Sequence, residues 1–227
     1  LAIAIAKNTG RKVEILAADL MNSSDLHKVE QILRDDPRVR LLVNNAGVGA
    51  TAPLLDSDIA DMSKMITLNV EVLTRLTYAV VPALVARGSG TIINIASIVA
   101  ISPETLNGVY GGTKAFVLAF SQSLRHELED KNIRIQVVLP GATSTNFWNL
   151  AGTPVEYLPQ EIVMSVDDMV DAAITGLDQG EFVTIPSLPD SKQWEAYESA
   201  RQALIPNLSR AVPASRYKTR DTQASYA

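Results

Sequence analysis

The apolar positions of this chain switch repeatedly between two spacings, and the switching sets the expected fold. Leu26, Val29, Ile32 and Leu33 recur at helical spacing behind the cap residues Ser23 and Ser24, and Pro37 closes that helix. Leu41-Leu42-Val43 and Thr91-Ile92-Ile93-Asn94-Ile95 are short, nearly continuous apolar runs, the form of parallel strands covered on both faces. Between them, Ile66, Val70, Leu73, Leu76, Val80 and Leu84 predict one helix from about Ile59 to Arg87, kinked at Pro82 and stopped by Gly88. Further elements are predicted as a helix Val109 to Leu128, a strand Arg134 to Leu139, a helix opened by Ser165, a strand Glu181 to Ile185 and a helix Asp190 to Leu204. Ahead of all these, the end of a helix, Leu1 to Asn8, stops at Gly10 and a strand spans Lys12 to Ala17. Strands alternating with helices predict an α/β fold, a doubly wound parallel sheet with helices on both faces. A single domain is expected over residues 1–205, with 206–227 as a polar, disordered tail.

Composition narrows the function. The chain has 227 residues, 47% of them hydrophobic, enough for one well-buried domain. A net charge of -5 offers no basic field for phosphate backbones, so nucleic acid is not an expected partner. There is no cysteine, which removes thiol chemistry and cysteine-bound metal, and His27 and His126 stand apart with no second ligand at metal spacing. No metal is therefore expected. No uninterrupted apolar run approaches the ~18 to 20 residues of a membrane span, and a cytoplasmic protein free of the membrane is the default expectation.

The candidate chemistry lies around Tyr110. Lys114 follows it by one helical turn, so the two side chains share a face, and an ammonium beside a phenol favours the phenolate. Ser97 lies at the carboxyl end of the Thr91 strand, the edge at which open α/β sheets bind ligands, although a strand-end hydroxyl can also simply bond backbone. Asn69 is polar amid Leu68 and Val70 and is costly in an apolar helix unless its amide is satisfied; a helix-kink role is the alternative.

Asn44-Asn45-Ala46-Gly47, Asn69, Ser97, Tyr110, Lys114 and Pro140-Gly141, in this order and spacing, resemble the signature of the classical short-chain dehydrogenase/reductase family. The resemblance covers about Val13 to Ile185 and implies a Rossmann-type sheet and an NAD(P)(H)-dependent oxidoreductase that interconverts a ketone or aldehyde and an alcohol. It implies Tyr110 as general acid and base, with Ser97 donating a hydrogen bond to the substrate oxygen. Lys114 would lower the Tyr110 pKa and bind the nicotinamide ribose. Asn69 would hold a water that relays protons to solvent. For the cofactor, it implies Asp19 and Leu20 near the adenine, although Asp19 also suits a turn or cap. Asn45, Ala46 and Gly47 would lie beside the adenine ribose, and Pro140, Gly141, Thr143 and Thr145 by the carboxamide and pyrophosphate. Thr143 departs from the aliphatic residue usual in the family, so only its backbone contact carries over.

The family's glycine-rich Thr-Gly-x-x-x-Gly-x-Gly turn and its strand are missing from the sequence, and an amino-terminal truncation of a longer product is the expectation. The residues that choose between NAD and NADP are missing with them, and the look of the segment before Asp19 gives only a lean to NADP. Specificity is expected from the segment Thr145 to Ser165, whose Phe147, Trp148, Leu150, Val155, Tyr157 and Leu158 suit an apolar or aromatic carbonyl compound or simply pack a lid. Tyr78, Val81, Phe116 and Leu118 give the two long helices a second apolar face, and the resemblance implies a homodimer or homotetramer built on it. The alternative from another class is a dinucleotide-binding regulatory protein, or an inactive fragment, on the same fold.

Overall fold

The computed structural model describes residues 1–217. In chain order the elements are α1 (Ala2–Thr9), α2 (Ser23–Asp35), β1 (Leu41–Asn44), α3 (Ile59–Ile66), α4 (Leu73–Arg87), β2 (Gly90–Ile95), α5 (Gly108–Glu127), β3 (Ile133–Val138), α6 (Phe147–Ala151), α7 (Val166–Gln179), β4 (Val183–Thr184) and α8 (Ser191–Ala203). The strands form one parallel sheet in the order β1-β2-β3-β4. This is the predicted α/β architecture. The contacts divide the chain into two compact units, Leu1–Ser187 and a second from Leu188 onward. Of the polar tail expected over 206–227, residues 218–227 lie outside the described residues.

The first unit is organised by burial against the sheet. Val72, Leu76, Val80 and Leu84 pack with Ile92, Ile135 and Leu26 in its main core. A buried polar chain crosses this core: the Asn44 amide donates to Thr77 Oγ1 at 3.1 Å and to Asn94 Oδ1 at 2.9 Å, and the Asn94 amide donates to Ser121 Oγ at 2.9 Å. Buried amides hold their place only when paired, so this chain fixes β1, β2, α4 and α5 in mutual register.

The predicted helix Ile59 to Arg87 is one continuous helix, but residues Thr67–Val72 form a wide π-helical turn between α3 and α4. At 29 residues it is long and apolar enough to cross a membrane by composition, which no scan for an uninterrupted apolar run detects. Its apolar residues Leu73, Leu76, Val80 and Leu84 are buried instead against the body of the protein, the usual position of a core helix. Gly88, at φ 69°, ends it as expected.

Three predictions are corrected. Residues 12–17 form no strand: no partner strand lies beside them among the described residues, and Ile15 and Leu16 are exposed. A strand exists only through its ladder, so the apolar pattern alone could not make one. Glu181 to Ile185 contracts to the two residues of β4, held by Val137 N to Phe182 O and Leu139 N to Thr184 O. The cap of α2 is Asn22 rather than Ser23 or Ser24; its Oδ1 accepts from the backbone N–H groups of Ser24 and Asp25.

In the second unit, Asp190 caps α8 by accepting from Lys192 N at 2.9 Å, and the rings of Trp194 and Tyr197 pack at 5.3 Å.

Candidate active site

Three loops leave the carboxyl edge of the sheet side by side: Asn45–Gly47 after β1, Ser97 after β2 and Pro140-Gly141 after β3. The fourth component is the first turn of α5. Asn107 caps it, with Oδ1 accepting from Val109 N at 2.9 Å and Tyr110 N at 3.2 Å. Its amide reaches the other way, donating to Ala52 O at 2.7 Å and Ser57 Oγ at 3.1 Å. Asn107 therefore fixes the start of the tyrosine helix to the loop after β1. The sequence reading missed it, although an Asn directly ahead of a Gly-Val-Tyr helix start carries the signal of an N-cap.

Tyr110, Ser97 and Lys114 are all buried and close together. Ser97 lies near enough to the Tyr110 side chain to draw its pKa down. It also accepts from Val99 N at 3.3 Å and lies 3.4 Å from Pro140 O, so the serine is set between the second and third loops. Burial pushes the Tyr110 phenol up to about 12, and Ser97 opposes that rise. Lys114 lies one helical turn further along α5. Its Nζ stands 5.9 Å from the ring centroid and donates to Ile95 O at 2.9 Å. Burial pushes the ammonium itself down to about 8.

Asn69 sits in the π turn and is nearly inaccessible. Its Oδ1 accepts from Val48 N at 3.0 Å, and its amide donates to Val48 O at 2.8 Å and Thr113 Oγ1 at 3.1 Å. Both amide protons are thus used, and what the side chain holds is the loop after β1. The same contact accounts for Gly47: a Cβ there would lie 3.0 Å from Asn69 Oδ1 and 3.6 Å from Lys114 Nζ. Gly47, Asn69 and Lys114 are therefore brought together, as are Ser97, Tyr110 and Pro140. Asn45 and Ala46 continue from β1 with exposed side chains.

The remaining predicted residues are placed less centrally. Asp19 lies in an exposed turn ahead of α2, its Oδ1 accepting from Met21 N at 2.9 Å, while Leu20 packs against the main core. Thr143 bonds Gly141 O at 3.3 Å, and its own carbonyl accepts from Trp148 Nε1 at 3.0 Å; Thr145 Oγ1 accepts from Phe147 N at 3.3 Å. These bonds fold the segment after Pro140 back so that the Phe147 ring lies 5.7 Å from that of Tyr110. Met62, Met65 and Val99 complete an apolar surround for the phenol. Beside it, sharing Met62 and Met65, a cleft of about 600 Å³ runs between α3, Val48–Ala50 and Leu150–Gly152. Among the described residues no group of three or more His, Asp or Glu converges as a metal site.

Several known proteins are similar to this chain. Sulfoacetaldehyde reductase 2 from Chromohalobacter salexigens is 35% identical over 149 residues, which are 63% of this chain and 59% of that protein. A short-chain dehydrogenase from Sphingobium yanoikuyae, solved in complex with NADPH, superimposes with a TM-score of 0.92 at 44% identity, covering 96% of this chain and 84% of that one. The bulky-bulky ketone specific alcohol dehydrogenase from Comamonas testosteroni gives a TM-score of 0.86 at 38% identity, covering 96% and 83%. The chain thus spans somewhat over half the length of its curated relative. Because the family model for short chain dehydrogenase matches residues 1–154, which contain the loops after β1, β2 and β3, the tyrosine helix and α6, this chain belongs to that family.

Proposed function

We propose that the protein is a nicotinamide-dependent oxidoreductase that interconverts a ketone or aldehyde and the corresponding alcohol. The observation that carries this reading is the buried Tyr110 phenol, with the buried Ser97 beside it and the buried ammonium of Lys114 one helical turn away. A phenol held near 12 is protonated at neutral pH, which suits it to give a proton in carbonyl reduction. Ser97 holds the carbonyl oxygen in reach of the phenol. Tyr110 then gives its proton to that oxygen as the alcohol forms, and takes one back in the reverse direction.

The residues present fit a dinucleotide. Lys114 has three N–H donors and uses one, on Ile95 O, leaving two for ribose hydroxyls. The missing Cβ of Gly47 keeps the approach to that ammonium open. Lys114, the Asn45–Gly47 loop and the Pro140–Thr145 segment would hold the cofactor, which when bound supplies or accepts the hydride. NADP is the preferred partner over NAD, supported by the NADPH in the Sphingobium structure and by the naming of a 44% identical Haemophilus influenzae relative as a probable NADP-dependent dehydrogenase. A homo-oligomer built on α4 and α5 is supported by the exposed Tyr78 and Phe116; Leu118, expected on that face, is buried within the chain.

The test pairs Tyr110→Phe with the unmodified protein, reading cofactor binding by fluorescence and turnover by nicotinamide absorbance across a carbonyl panel. Retained binding with turnover lowered ~10²- to 10⁴-fold is expected, and equal turnover in the two proteins would refute the role of the phenol.

A further inference from the structure

We propose that Gly49 and Phe147 act as a pair that sets the size of the apolar carbonyl substrate admitted beside Tyr110, an inference that rests on the oxidoreductase reading above. A Cβ placed on Gly49 would meet Phe147 Cζ at 2.2 Å and Cε2 at 2.8 Å. The ring tip therefore occupies the volume where any other residue at 49 would carry its side chain. The backbone does not require this glycine, because the glycines at positive φ are Gly10, Gly88, Gly152 and Gly180. What position 49 accommodates is the phenylalanine.

Seated on Gly49, the same ring lies 5.7 Å from the Tyr110 ring. It is fixed from two further directions. Trp148 packs edge-on to it at 5.6 Å and is itself held by Thr143 O at 3.0 Å. Thr51 ties the same two segments together, its N–H donating to Ala151 O at 3.0 Å and its hydroxyl accepting from Thr153 Oγ1 at 2.9 Å. Phe147 is thus a fixed wall over the phenol, and the neighbouring Val99, Leu106 and Val109 carry no charge to recognise a polar substituent. A substrate whose carbonyl reaches Tyr110 brings one of its substituents against this ring, so the wall selects apolar groups on that side and limits their bulk.

The experiment compares Gly49→Ala, Phe147→Ala, the double variant and Gly49→Ala/Phe147→Leu with the unmodified protein. Each reduces an aryl methyl ketone and a diaryl ketone, and Trp148 emission is read in a Trp194→Phe background. Phe147→Ala is expected to raise the diaryl-to-methyl ratio of kcat/KM about tenfold. Gly49→Ala alone should change the ratio and shift Trp148 emission, because the ring tip must move. In the Phe147→Ala background the same substitution should alter the ratio less than about twofold, and Phe147→Leu should restore part of the original ratio by shortening the tip. An equal effect of Gly49→Ala in both backgrounds, or none in either, overturns the pair. Unchanged Trp148 emission overturns the contact. A shift in emission with no ketone reduced by any variant overturns the substrate role and marks a failure of the oxidoreductase reading itself.

Discussion

The ammonium of Lys114 gives its hydrogen bond to the carbonyl of Ile95, 2.9 Å away, while standing 5.9 Å from the centre of the Tyr110 ring. Both groups resist ionisation by burial, one as an acid and one as a base, so each links folding to pH in its own window. Between about 8 and its ordinary 10.5, the unfolded chain binds more protons at Lys114 than the folded one, and stability contributed by this residue rises with pH. Between 10.0 and about 12, the folded state keeps the Tyr110 proton longer, and stability falls with pH. Urea titrations across alkaline pH should show the first slope reduced in Lys114→Met and the second reduced in Tyr110→Phe. Parallel profiles for variants and parent would refute the linkage.

Asn69→Ala removes three hydrogen bonds and orphans both backbone groups of Val48. A loss of about 1 to 3 kcal/mol is expected by chemical denaturation, together with faster amide exchange at Val48. Slow exchange at Val48 in the variant would show that another group holds the loop.

Removing the α5 cap with Asn107→Ala should cost about 1 to 2 kcal/mol. Asn107→Ser restores the acceptor for the helix but not the amide that holds Ala52 and Ser57. Its stability should recover most of the way, while turnover stays below that of the parent. Full recovery of both would reduce Asn107 to a helix cap alone.

Gly111→Ala drives a methyl to 2.9 Å from Pro103 Cβ and 3.1 Å from its Cα, atoms that cannot swing aside as a side-chain tip can. About 1 to 3 kcal/mol of destabilisation is expected, with Tyr110 displaced on the neighbouring position. An unchanged melting temperature would contradict the tight fit of α5 on the Pro103 turn.

Much of the fold was legible because the apolar runs at Leu41, Thr91 and Arg134 are local signals, and each became a strand within a residue or two. The strand predicted at residues 12–17 failed for the opposite reason: pairing is a property of two segments, and the pattern describes one. The site divides along the same line. Tyr110, Ser97 and Asn69 could be located by spacing, but which atom the Lys114 ammonium bonds depends on where the Ile95 carbonyl points. The seat of Phe147 on Gly49 was equally hidden, since the two residues lie far apart in the chain and meet only after Thr143 and Trp148 have folded the intervening loop back.

The π turn at Thr67–Val72 makes the register of the long helix a matter of residue count. Met62 and Met65 on its amino-terminal side face the phenol, whereas Leu76, Val80 and Leu84 on its carboxyl-terminal side face the sheet. The wide turn takes up about one residue more than ordinary α geometry would, so deleting one residue within it would let an α-helix run through with both halves still facing as they do. A one-residue deletion in the α-helical stretch on either side would instead rotate one half against the other by roughly 100° and turn the methionines or the leucines to water. An in-frame loss of a single codon should therefore be far less damaging within the π turn, Asn69 apart, than beside it.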